Sequence, residues 1–232
     1  MFMAQGSERD SAIKSEFVEK IIGWYEENGR HRFPWRNTED PYEILTAEFL
    51  LQKTTAEQVE EVYPKFLEAF PEVGDLAEAP KEEILDIIGG LGLAYRADRM
   101  KEVAQEISDD YKGRVPEGLD ELLNLKGVGD YTANSVLCYA FGRARPVIDT
   151  NAGRILKRVF GLNVGGRLRQ SDDLWSLAED LVPENEPKKY NLGLLDLGAF
   201  VCHKKEPECK KCPVKDLCCS SRAGEEYGVR DL

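Results

Sequence analysis

The chain has 232 residues, 42% of them hydrophobic and 32% charged, enough to bury one large core or two modest ones. Its 43 acidic against 31 basic residues give a net charge of −12, and a pI near 4.8 argues against attraction of the whole surface to nucleic acid without excluding a local basic face. The N-terminal MFMAQGSERD has no apolar h-region and no run approaches the ~20 apolar residues that span a bilayer, so a cytoplasmic protein with no membrane partner is expected.

Almost every segment reads as helix. SEFVEKIIGWYEENG has apolar residues at 17, 21, 22, 24 and 25, with Gly29 as a stop. DPYEILTAEFLLQKTTAEQVEEVYPKFLEAF gives two helices with a break near Lys53, Thr54 and Thr55. APKEEILDIIGGLGL and RADRMKEVAQEISDDY follow, parted by glycines, and then PEGLDELLNL and YTANSVLCYAFG flank the turn LKGVGD. Asp149 is placed to cap TNAGRILKRVF, and SDDLWSLAEDLV with YNLGLLDLGAFVC complete the set. No alternating strand pattern competes, so the expected fold class is all-α, with about ten helices joined by short connections. The first and last dozen residues read as loose ends.

Charge is spread unevenly. Residues 57–120 hold 17 Asp and Glu against seven Lys and Arg, whereas residues 142–169 hold seven Lys and Arg against one acid, Asp149. A basic run is as often a solvated helix face as a binding surface. Here it follows a glycine turn. In a helix, a tight Gly-Val-Gly hairpin and a second helix, the N–H groups of Gly127, Val128 and Gly129 and the positive end of the second helix can grip a phosphate without net charge. The competing reading is a helical corner whose glycines serve packing alone.

Cys202, Cys209, Cys212 and Cys218 fall in the pattern C-x6-C-x2-C-x5-C. Four thiols within so short a stretch of a cytoplasmic chain point to a metal centre rather than to disulfides. Zinc sites with four cysteines usually pair two C-x2-C units. Only one such unit occurs here, and the uneven spacing fits wrapping around a [4Fe–4S] cluster. Cys219 stands beside the last ligand, which leaves a register shift of one residue open.

The hairpin, the VIDTN that follows it and the cysteine tail together resemble the endonuclease III superfamily of helix–hairpin–helix (HhH-GPD) DNA glycosylases. Within it, FPWR, DPY, TAEFLLQKTT, GVGDYTAN, CYAFG, LWSLAEDLVP and YNLGLLDLGAFVC resemble the archaeal-type thymine mismatch glycosylases most closely, and the adenine mismatch glycosylases next. The resemblance implies a two-lobed fold. A six-helix barrel lobe carrying the helix–hairpin–helix spans 43–142, and a discontinuous iron–sulfur cluster lobe is made from 13–42 plus 143–232. It also implies a monomer, cytoplasmic and nucleoid-associated, that binds mismatch-containing double-stranded DNA and flips the target nucleotide out.

The same resemblance assigns roles. The essential aspartate of the family falls on Asp149, beside Asn151 and Arg154 at the start of the basic helix that meets DNA. Breaking an N-glycosidic bond builds positive charge on the sugar; a carboxylate about 4 Å away at an effective dielectric of about 20 attracts it by roughly 4 kcal/mol, on the order of a thousandfold in rate. Bifunctional members carry a lysine where Tyr131 stands, so this chain is expected to hydrolyse without cutting the strand. Glu48 falls in the base pocket, Gln52 and Lys53 in the loop that fills the gap left by the flipped base, and Leu93 on a wedge into the opposite strand. The bland readings are a helix cap for Asp149, a helix-start aromatic for Tyr131, an exposed acid for Glu48 and ordinary core for Leu93. The expected reaction is excision of thymine or uracil opposite guanine. Alternatives are an adenine glycosylase acting on A·G or A·8-oxoguanine, an endonuclease III-like glycosylase with lyase activity, and a DNA-binding redox sensor without enzyme activity.

Overall fold

A computed structural model describes residues 2–92, 94–163 and 171–222, with side chains within 10–221, and among these it contains α-helices and short 3₁₀ turns but no strand. The helices fall into two compact units, His31–Arg143 and Met1–Arg30 with Ala144–Leu232. No helix is long and apolar enough to cross a membrane among the described residues.

The continuous unit holds α2 (Pro41–Leu51), α3 (Ala56–Ala69), α4 (Val73–Glu78), α5 (Lys81–Ile88), α6 (Tyr95–Tyr111), α7 (Leu119–Asn124) and α8 (Asp130–Tyr139). Asp40 starts α2, accepting the N–H groups of Tyr42 at 2.8 Å and Glu43 at 3.0 Å, with Pro41 at the first helical position. Every residue of α2 from Tyr42 to Leu50 is buried apart from Glu43, so the helix runs through the middle of the unit as its all-round apolar sequence demands. α8 is buried from Thr132 to Tyr139 and packs against α2. Phe33 stacks on Trp35 at 4.7 Å, and Trp35 meets Tyr63 of α3 edge-on, which brings the segment from His31 into this unit. The resemblance had grouped residues 31–42 with the other lobe.

The discontinuous unit holds α1 (Phe2–Asn28), α9 (Thr150–Phe160), α10 (Asp172–Leu181), α11 (Pro187–Phe200) and α12 (Cys219–Arg222). Its N-terminal helix begins at Phe2 rather than near Ser15, where the apolar spacing starts. α11 is the central element, packed against both α1 and α9. Two glycines permit that. A Cβ on Gly193 would come within 2.8 Å of Ile21 Cγ2 on α1, and one on Gly198 would collide with Asn151 on α9.

Candidate active site

The turn before α8 binds little of its own backbone. Gly127 has φ +83°, a conformation that favours glycine, and any side chain there would run into Arg99. Gly129 is extended and a Cβ on it would meet nothing within 4 Å, so the fold itself does not demand glycine there. Val128 is buried, and its N–H closes the turn on Leu125 O at 3.1 Å. Lys126 N–H is taken by Glu106 Oε2 at 3.0 Å, and Lys126 Nζ pairs with Glu102 at 2.7 Å. The N–H groups of Gly127 and Gly129 form no hydrogen bond among the described residues. They stand at the N-terminal end of α8, a ready anion site.

Tyr131 lies in that first turn, partly buried. Positions 131, 135 and 139 fall on one face of α8. The hydroxyl of Ser135 donates to Glu48 Oε1 across the α2–α8 contact, with both residues buried. Burial pushes the Glu48 carboxyl up to about 7, and the Ser135 hydrogen bond opposes that rise. The Tyr139 phenol is pushed well above its ordinary range by burial and then by Tyr131, Cys138 and Glu48 nearby, and its hydroxyl has no hydrogen-bond partner among the described residues. Glu48 is thus a buried acid that changes charge near neutrality. Ser135 and Tyr139 carried one signal in the sequence, polar groups four apart in line with Tyr131 on α8.

Gln52 ends α2, and Lys53 follows with φ +56°, a left-handed conformation strained by on the order of 1 kcal/mol for a residue with a side chain. The buried Arg96 of α6 holds the turn, donating from Nη2 to Gln52 O at 2.6 Å and to Thr54 Oγ1 at 2.7 Å. That leaves Lys53 exposed. Leu93 lies outside the described residues, as do residues 164–169 of the basic run.

In the other unit, Asp149 caps α9. Its Oδ1 accepts the N–H groups of Asn151 at 2.8 Å and Ala152 at 2.7 Å, and its Oδ2 accepts the Asn151 side-chain amide at 3.0 Å. A carboxylate has about four acceptor sites, so Oδ2 keeps one for a ligand. Burial raises the carboxyl above its ordinary range, against the pull of those N–H groups and of Arg154. Cap and free oxygen therefore coexist in one side chain.

Arg154, expected at the DNA surface, turns inward instead. It is buried and donates to Cys202 O at 2.8 Å, Gly198 O at 2.9 Å, Asn151 Oδ1 at 2.9 Å and Thr150 O at 3.4 Å. Unpaired carbonyls at the end of α11 and a guanidinium with five donors explain the inversion. Arg158, one turn on, donates to His203 O at 2.7 Å, Lys204 O at 3.0 Å and Cys202 Sγ at 3.3 Å. The helix capped by Asp149 therefore holds the first cysteine of the tail.

Among the described residues no group of three or more His, Cys, Asp or Glu is arranged to hold a metal ion, and all six cysteines are free. In a cubane each thiolate meets its own iron, so four such ligands need not converge on one point. Other observations fit such a group. Cys202, Cys212 and Cys218 pack against the apolar core of their unit. The Cys212 thiol is pushed up to about 11, by burial first and then by Cys202, Cys218 and Cys209, which therefore lie close to it. Backbone N–H groups of Val214 and of Ser220 and Ser221 point at Cys212 and Cys218. Cys219 belongs to neither set, which favours the Cys218 register.

A model of the HhH-GPD superfamily, described as a base excision DNA repair protein, matches residues 46–178. A thymine/uracil-DNA glycosylase of Methanothermobacter thermautotrophicus is 40% identical over 203 residues, 87% of this chain and 91% of that protein. An adenine DNA glycosylase of Buchnera aphidicola subsp. Baizongia pistaciae is 32% identical over 202 residues, 87% of this chain and 57% of that protein. Among solved structures, a thermostable thymine-DNA glycosylase superposes with a TM-score of 0.86 at 38% identity, covering 91% of this chain and 98% of its own.

Proposed function

Because the chain belongs to the HhH-GPD superfamily of base excision DNA repair proteins, it is a DNA glycosylase, and we propose that it removes thymine or uracil mispaired with guanine by hydrolysis alone. The observation that carries this reading is the Asp149 carboxylate, fixed by its cap with one acceptor site of Oδ2 still open. Water adds at C1′ of the flipped nucleotide, the bond from C1′ to the base breaks, and Asp149 offsets the positive charge that gathers on the sugar and takes the proton from the water. Glu48 meets the base. Tyr131 has no amine, so no Schiff base forms and the strand stays whole. The hairpin amides hold phosphate, Lys53 and Gln52 face the orphaned guanine, and the protein works as a monomer.

Cys202, Cys209, Cys212 and Cys218 would hold a [4Fe–4S] cluster. Such a group would cross-link the loop that Arg154 and Arg158 tie to α9. No step of the hydrolysis uses it.

One experiment tests the assignment. Duplexes bearing G·T, G·U and A·8-oxoguanine are incubated with the protein, and free base, strand nicks and borohydride-trapped adducts are measured. Thymine and uracil release without nicks or adducts is expected, and Asp149→Asn should lower release at least a thousandfold while leaving duplex affinity within about threefold. Equal loss of binding and turnover would reduce Asp149 to a structural cap. A second reading, excision of adenine, is favoured by the neutral acid at Glu48, which can protonate a purine ring; adenine release from A·8-oxoguanine alone would establish it.

A further inference from the structure

A serine inside a buried helix needs a reason. Ser135 is completely buried in the middle of α8, where alanine would cost less helix propensity and strand no hydroxyl. A buried helical serine commonly folds its hydroxyl back onto the carbonyl four residues earlier. Here it reaches to α2 and donates to Glu48 Oε1. A carboxyl whose Oε1 already accepts a hydrogen bond carries its proton on the other oxygen. We infer that Ser135 is a positioning residue for Glu48: by occupying Oε1 it confines the carboxylic proton to Oε2, the atom that donates to a carbonyl oxygen of the extruded pyrimidine as the base leaves.

The surroundings fit this role. From α8, Tyr131, Cys138 and Tyr139 lie in the same layer, and the Tyr139 phenol keeps its proton because burial holds it well above its ordinary range. Arg36, in the 3₁₀ turn Pro34–Arg36 packed on α2, acts on Tyr139 in the opposite direction. From α3, Tyr63 donates to Glu43 O at 3.2 Å, and from α6, Arg96 is committed to Gln52 and Thr54. Ser135 thus supplies, from the facing helix, a side-chain hydrogen bond to the Glu48 carboxyl. Its role rests on the reading above that Glu48 meets the base.

The sign of the effect follows from the chemistry. A hydroxyl donating to a carboxylate favours the anion, so its removal makes the acid harder to ionise. The test uses the full chain as it is purified. In Ser135→Ala the alkaline limb of the pH–rate profile for base release should move up by on the order of one pH unit. Release at about pH 6 should fall about tenfold, because the proton is no longer confined to Oε2. Ser135→Thr should restore both. In parallel, the Glu48 carboxyl is titrated by carbon-13 NMR without DNA, and its midpoint should rise in Ser135→Ala. An unmoved limb and an unmoved titration, with base still released, would overturn the role of Ser135 alone. A displaced titration with no base released from any mispaired duplex would overturn the base-pocket reading and this role with it.

Discussion

Ionising a carboxyl group away from water is costly, and in Glu48 that cost is written into the dependence of stability on pH. Burial pushes this acid from 4.5 up to about 7, with Ser135 holding it back from rising further. The folded pKa lies above the unfolded one. The stability Glu48 contributes is therefore complete below about pH 4.5 and is lost as pH rises through about 7, by on the order of 3 kcal/mol. Glu48→Gln keeps the shape and cannot ionise. Its urea midpoint, compared with that of the parent chain from about pH 5 to about pH 8, should stay level while the parent's falls. Parallel slopes would mean that some other group carries the loss. The burial of Glu48 was legible because its neighbours in TAEFLLQ are apolar. Its partner was not, because Ser135 is 87 residues away and a serine among small residues carries no mark of what it will touch.

At the scale of the helix, α9 links the capped aspartate to the cysteine tail. Its start is pinned between Asp149, Asn151 and Arg154, and its other side meets α11 at Gly198. Gly198→Ala would drive a methyl group into Asn151 and shift the amide that holds Asp149 Oδ2. Overpacking of this kind costs about 1–3 kcal/mol. Base release per folded molecule should fall more than tenfold, as measured by single-turnover assays corrected for the folded fraction. Gly193→Ala crowds Ile21 on α1 instead, and should cost comparable stability with release retained. Similar losses of release in both variants would show that the pinning of Asn151 does not matter. The cap, the helix and the spacing of the cysteines were all readable, since each depends on neighbours in sequence. The direction of Arg154 was not. An arginine in a basic run looks solvated until the carbonyls of Gly198 and Cys202, 44 and 48 residues on, are seen to be waiting for it.

Over the whole chain, the discontinuous unit must be closed by residues that the sequence keeps far apart. Asp196 of α11 is 0% exposed and accepts three bonds from Arg30, two residues past the end of α1: N–H at 2.9 Å, Nε at 2.7 Å and Nη2 at 2.7 Å. The partners are 166 positions apart, so nothing beside Asp196 in LLDLGAF marks what it will meet. Removing one side of a buried pair strands the other, at about 3–5 kcal/mol. Asp196→Ala should therefore weaken the unit built from both chain ends. The three tryptophans can report this, because Trp24 and Trp175 lie against the core of that unit while Trp35 is stacked on Phe33 in the other. With Trp35 replaced by Phe, urea unfolding followed by Trp24 and Trp175 should shift to a much lower midpoint in Asp196→Ala. With only Trp35 retained, the midpoint should shift less, because each unit has its own buried core. Equal shifts from both reporters would mean that the two cores unfold as one, and that the ion pair guards the entire chain rather than the unit it closes.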